Sequence, residues 1–460
     1  MTAANDTTKD SDACVVPEIS KQGTVYPLTP IDGNPTSRAN LQFVFFYTLP
    51  ADADRPKLAI ELRKAFYQTM AQYPILYGKL EGNGSGPPQV HVTREYAATQ
   101  GLPRYEEHQV AGAVAEIRAA NYNWATWPRQ LLSIRVVRGQ GEEDAPLAQC
   151  IAAWFGDGLG LLFSVDHSIV DGIGVDILVN KWAQAARANQ GGGGTPVGPP
   201  VPVDFDHHSF YRDMCAEEPH DDWFVRHVDG LRADAAPVQG IVGHPEDPDT
   251  IERALQDNVH MLRMTPEALA RLQRDQAPGV SAMRVAYALV WQRYMMAKHV
   301  GAEACLLNII HSGRHLVRRP HYVGNAVCPT YMQASDLPAM HVRDVAQALR
   351  IHETSTPQWL AFCLRMQDPR WFANFLTVFA SPQANQLTVS NISRLAFYDA
   401  DFGFGSPVHA TLYPTLIPGF TAWMPLGPDG GLHILWNISP DALQTLAKDD
   451  VFCKYVDIIF

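Results

Sequence analysis

At 460 residues the chain is longer than one hydrophobic core usually organises, and its length points to two domains. Apolar residues make up 46% and charged residues 18%, enough to bury sizeable cores, while 34 prolines and 33 glycines stay below a low-complexity level. A net charge of -12 with no dense Lys/Arg run disfavours nucleic acid and anionic lipid as main partners.

In chain order, residues 1–16 contain Asp6, Lys9, Asp10 and Asp12 rather than the basic start and apolar middle of a signal peptide. No run of about 18 apolar residues is present to span a bilayer, so no membrane insertion is expected and the cytoplasm is the expected compartment. Seven cysteines without a CxxC pair read as reduced, buried thiols. From Lys57 to Gln72, Leu58, Leu62, Phe66 and Met70 recur at i, i+4 spacing, which predicts a helix burying that stripe. A turn is expected at Gly82 to Pro88. Gln149–Phe155 and Leu161–His167 are apolar, β-rich runs divided by "GDGLG", the pattern of two adjacent buried strands. A helix is then predicted over Val175–Ala188, starting after Gly172 and Gly174, with Leu178, Trp182 and Ala185 on one face.

The clearest break is Gln190–Val203, "QGGGGTPVGPPVPV", whose glycines and prolines forbid a helix interior and a central strand. It divides the chain into an N-terminal lobe at 1–189, a crossover linker at 190–221 and a C-terminal lobe at 222–460. Beyond it, "TPEAL" at Thr265 and "SPDAL" at Ser439 each follow an apolar stretch with a capping hydroxyl, a proline and an acid, the signature of a strand-to-helix junction. Strands mixed with helices in both halves give an α/β chain of two comparable lobes.

The chain has no GxSxG elbow, no GxxxxGK phosphate loop and no HExxH zinc helix. What it has is "DHSIVDG", Asp166 to Gly172. Seventeen histidines and 48 acids predict about two His-x-x-x-acid matches by chance, and the chain has three, so the spacing of His167 and Asp171 carries little by itself. Context singles out His167, because it closes a buried strand and precedes glycines that would let a substrate approach the backbone. The "DFDHH" loop with Asp204, Asp206, His207 and His208 is expected to face water rather than hold a metal, and Trp182 and Trp291 are expected in the core.

"HSIVDG" together with "DFGFGSP" at Asp401–Pro407 resembles the paired HxxxD and DFGWG signatures of BAHD-type acyltransferases, plant and fungal coenzyme A-dependent enzymes that include trichothecene-acetyltransferase-like proteins. "LTPIDG" at Leu28, "YPILYGKL" at Tyr73, "SAMRVAYALVWQR" at Ser281 and "GRHLVRRPHYVGNAV" at Gly313 are similar in the same register, over about Tyr26 to Phe452. The resemblance implies two chloramphenicol-acetyltransferase-like α/β lobes with mixed sheets, joined by a long crossover and separated by an active-site channel. It implies a monomer acting on a small-molecule, secondary-metabolite acceptor, with acyl-CoA as co-substrate, no permanently bound cofactor and no metal. His167 would be the general base. Asp171 and Gly172 would shape its loop, Asp171 pairing with Arg314, and Asp401 and Gly403 would fix a loop closing the channel wall. Phe404 stands where tryptophan is commoner, so no role carries over for that indole. Gly324 and Asn325 match a structural "GN". A condensation-type enzyme using a carrier-protein thioester is the nearest rival, but Asp166 stands where its first histidine would be. An inactive binding relative is a further alternative.

Overall fold

The computed structural model describes residues 15–32, 39–81, 89–133, 145–191, 204–220, 223–230, 255–351, 353–379, 385–414 and 417–460. The expected turn at 82–88 and nearly all of the Gln190–Val203 break lie outside these residues. The first part of the chain supplies β1 (Thr24–Pro27), β2 (Asn40–Thr48), β3 (Lys79–Glu81), β4 (Gln89–Val92), β5 (Arg104–Gln109), β6 (Ala148–Trp154) and β7 (Gly158–Asp166). The second supplies β8 (Val259–Met264), β9 (Cys305–Ser312), β10 (Val327–Ala334), β11 (Gln386–Asn391), β12 (His409–Leu412), β13 (Phe420–Trp423), β14 (Leu432–Asn437) and β15 (Asp457–Ile458).

The two runs flanking "GDGLG" form the antiparallel hairpin β6–β7, and both are buried along their whole length because each face of the sheet is covered. β2 pairs with β7 from Asn40↔Asp166 to Thr48↔Gly158. On one face the helices Arg55–Met70 and Gly172–Asn189 pack, with Leu62, Phe66, Met70, Leu178 and Trp182 in one core with Phe43, Phe45 and Phe163. The predicted stripe is the buried one. The other face, with Val44, Phe46 and Leu162, meets Met261, Ala422 and Leu435 of the second lobe.

The second lobe is a seven-stranded mixed sheet ordered β10-β9-β11-β13-β14-β8-β15. The helix Ala282–Ala297 lies on it and is apolar nearly all round, with Trp291 fully buried, as expected for a helix enclosed on all sides. Thr265 and Ser439 cap the helices Pro266–Gln276 and Pro440–Leu446 with their side chains, as the junction motifs predict.

Three sequence boundaries move. The helix after His167 begins at Gly172 rather than Val175, because the Asp171 carboxylate caps it by accepting the N–H groups of Ile173 and Gly174. The 190–221 crossover contains the helix His207–Met214, whose Phe210 and Met214 are fully buried. Sequence order assigns Asp401 and Gly403 to the second lobe, but the strand that follows them, β12, joins the first sheet in the order β12-β2-β7-β6-β5. A sheet edge can be completed from any distance in sequence, and here it is completed from across the molecule.

β12 carries a consequence for acid stability. His409 stacks on Tyr122 with ring centroids 4.0 Å apart and lies 6.1 Å from His433 of β14, so the two histidines face each other where the lobes meet. Burial, reinforced by His433, pushes the His409 pKa down from 6.5 to about 3. The unfolded chain therefore binds more protons between these values, and stability is lost as pH falls from about 6.5 toward about 3, by on the order of 4 kcal/mol. Thermal melting between pH 7 and pH 4 should show this slope. His409→Phe, which keeps a ring against Tyr122, should flatten it, and an unchanged slope would exclude His409 as the source.

Candidate active site

β7 ends at Asp166, and His167 is held in place at every backbone atom that can be held. Its N–H donates to Ala39 O at 2.8 Å, continuing the β2 ladder, and its carbonyl accepts from Asn325 Nδ2 at 2.9 Å. The Asp166 carboxylate, fully buried, accepts from Ser168 N–H at 2.9 Å and so closes the turn beneath it. The His167 ring has Nδ1 3.0 Å from Val170 O. A carbonyl oxygen only accepts, so Nδ1 carries the hydrogen and Nε2 carries the lone pair.

Four positions on, Asp171 turns away from the ring and meets Arg314, 143 positions distant, in a two-pronged pair with both N···O distances 2.7 Å. Both residues are 3% exposed. Every polar group of the pair is used: Asp171 also accepts from Ile173, Gly174 and Ala326 N–H, and Arg314 donates to Tyr322 O and Gly324 O. Burial raises the Asp171 pKa, but the Arg314 charge and these hydrogen bonds more than offset it, and the carboxyl sits below its ordinary value. It is therefore a buried anion that ties the His167 loop to the second lobe.

His167 lines a cavity of about 860 Å³ between the lobes. Ala39 to Phe43 and Gly172 close it from the first lobe; β9, β10, β11 and the segment Ser390–Leu395 close it from the second. Arg284, Arg350 and Arg394 also border it. Among the described residues no group of three His, Cys, Asp or Glu side chains could hold a metal.

The Transferase family profile matches residues 6–444. The chain belongs to that family, the BAHD-type acyltransferases. Acyltransferase easC of Emericella nidulans is 21% identical over 377 residues, covering 76% of this chain and 77% of the relative. The fold is shared with F. graminearum TRI101, solved with coenzyme A and T-2 mycotoxin, at TM-score 0.76 and 16% identity over 95% of this chain and 100% of that one. Vinorine synthase superposes at TM-score 0.63 and 16% identity, over 94% of both chains.

Within this BAHD acyltransferase the remaining sequence candidates are distributed as follows. Gly172 borders the cavity, where a Cβ would have ordinary contact distances to Ile392 and Leu395. Gly174 does not admit substrate: a Cβ there would stand 2.2 Å from Val323 O, so that glycine lets the helix touch the backbone of the second lobe. The Asp401 carboxylate accepts from Gly403 N–H at 2.7 Å and Gly405 N–H at 2.8 Å, and both glycines have positive φ, near 100°, that a side chain would strain. This loop does not form the cavity wall. It packs on the first lobe, with Phe402 4.6 Å from Trp182 and with Asp401 O accepting from Arg187, and the wall is made by the residues just before it. The "DFDHH" residues also part company. His207, expected to face water, is buried against Asp32 and Tyr322, while Asp204 pairs with Arg319 and Asp206 caps the next helix.

Sequence reasoning missed Val170, whose contribution is a carbonyl that any residue would supply. It also missed Asp176, one turn into the helix after Asp171. Asn180, hydrogen-bonded to Asp176, donates to Ala396 O and so holds the segment that forms the cavity wall, and burial pushes the Asp176 carboxyl up to about 7.

Proposed function

We propose that this acyltransferase moves an acyl group from acyl-CoA to a hydroxyl of a small-molecule secondary metabolite, an amine being the alternative acceptor, with His167 as general base. The observation that carries the reading is the His167 ring itself. Its Nδ1 is occupied by Val170 O on a loop fixed at both ends, and its basic Nε2 is left for the cavity.

In the reaction, Nε2 takes the hydroxyl proton as the acceptor oxygen attacks the thioester carbonyl. The C–S bond then breaks and the proton is returned to the departing thiolate. While Nε2 holds that proton the imidazolium is steadied by Val170 O, which accepts from Nδ1 throughout. Arg284, Arg350 and Arg394 border the cavity, Arg350 in a pair with Glu353 that also borders it, and the cations in excess suit the phosphates of coenzyme A in an otherwise acidic protein. The likeness to a protein solved with coenzyme A and a small-molecule toxin supports the same pairing of substrates.

Incubation of the pure protein with mixed acyl-CoAs and a library of alcohols, followed by mass spectrometry, tests this. An ester and an equal amount of free coenzyme A are expected. Consumption of an acyl-loaded carrier protein, with every acyl-CoA left intact, would overturn it in favour of condensation-type chemistry.

A further inference from the structure

The cavity is much larger than the space around the His167 ring, and its far end has a composition of its own. Tyr331, Phe362, Phe375 and Phe379 border it there, with Tyr331–Phe379 centroids 5.3 Å apart and Phe375–Phe379 centroids 5.0 Å apart. In the register of the sheet, Val327 faces Ser312 beside the Asn325 anchor of His167, and Tyr331 faces Asn308 four residues further along. At about 3.4 Å per residue, this aromatic arm starts roughly 13 Å along the sheet from the catalytic end.

Asn308 is the anomaly in it. It is 3% exposed, borders the cavity, and stands between Tyr331 of β10 and Thr388 of β11, yet its Oδ1 has no hydrogen-bond partner. The alternation along β9 explains the orientation: Leu307 and Ile309 belong to the core under the Ala282–Ala297 helix, so Asn308 and Ile310 face the other way. A buried amide oxygen left unsatisfied beside the Tyr331 ring costs free energy comparable to a hydrogen bond. A leucine would avoid that cost.

We infer that Asn308 is a specificity-determining contact, and that the arm takes an acceptor with a flat apolar body carrying a second hydrogen-bonding group, a hydroxyl, at the end remote from the reacting oxygen. The inference rests on reading the cavity as an acyl-transfer site. The phenylalanine rings supply area without direction, and the amide supplies direction. An apolar pocket rejects a missing group weakly, whereas a pocket with a buried amide rejects the ligand that leaves the amide unpaired.

The test compares 4,4′-biphenol, a rigid apolar rod with a hydroxyl at each end, with 4-phenylphenol, the same body without the second hydroxyl. Calorimetric titration of the wild-type protein in the absence of acyl-CoA should give about tenfold tighter binding of biphenol, the effect of one hydrogen bond. Asn308→Leu should abolish the preference while retaining affinity for phenylphenol, and Asn308→Ala gives the same comparison should the larger side chain disturb folding. Equal affinities in the wild type, or a preference that survives in the folded variants, would overturn the inference. So would displacement of biphenol by octanoyl-CoA but not by acetyl-CoA, which would give the arm to the acyl chain. The binding pattern intact with no coenzyme A released from any acyl-CoA would reject the transfer chemistry and leave the arm standing.

Discussion

His167→Ala is expected to lower acyl transfer by about 10² to 10⁴ while leaving the melting temperature close to that of the wild type. The rate factor is what a positioned general base contributes, and it corresponds to about 3–5 kcal/mol of barrier. Stability should hold because the bonds that fix this loop are backbone bonds: His167 N–H to Ala39 O and Asn325 to His167 O need no imidazole. Release of coenzyme A thiol in the presence of an acceptor measures the rate, and thermal melting checks the fold. Turnover within a few-fold of wild type would remove His167 from the mechanism. Equal loss of rate and of folded protein would make it a structural residue.

Breaking the Asp171–Arg314 pair should have the largest effect on stability. Either residue alone leaves a charge buried at 3% exposure without its partner, which typically costs about 3–5 kcal/mol. Asp171→Ala should be the worse of the two, since it also removes the cap of the Gly172–Asn189 helix, worth about 0.5–2 kcal/mol. The double variant should lose less than the two single losses together, because the second change removes the orphaned charge, and a denaturant-melting cycle should return a coupling of about 0.5–3 kcal/mol. Additivity would mean the residues stabilise the protein independently. Activity should fall with stability in each single variant, because the same carboxylate holds the turn that carries His167.

These two expectations differ in how far the sequence alone could reach them. The buried hairpin ending at His167 and the helix beyond it follow from apolar runs and glycines, which act locally. The partnership of Asp171 with Arg314 does not, since no periodicity links positions 143 apart, and only the resemblance of two separate motifs to one family suggests it. Val170 is silent in sequence because its backbone, not its side chain, orients the imidazole. The burial of His207 is silent in sequence for a related reason: its partners Asp32 and Tyr322 arrive from distant segments, and nothing in "DFDHH" announces them. Asn308 is legible only once it is known to stand beside Tyr331 at the cavity with its carbonyl unpartnered.

The placement of β12 beside β2 also bears on how the protein is made. Until residues 409–412 leave the ribosome, the first sheet has its other strands but lacks one border, and that border is Asn40–Thr48, a nine-residue strand rich in phenylalanine. From the end of β7 to the start of β12 the ribosome must add 243 residues, and at about 5–20 residues per second that leaves the phenylalanine edge open for roughly 12–50 seconds. A long, flat, apolar strand edge is a template for pairing with other nascent chains. The edge is thus open to pairing with other chains during elongation, and slow codons between the two lobes would lengthen the exposure rather than relieve it.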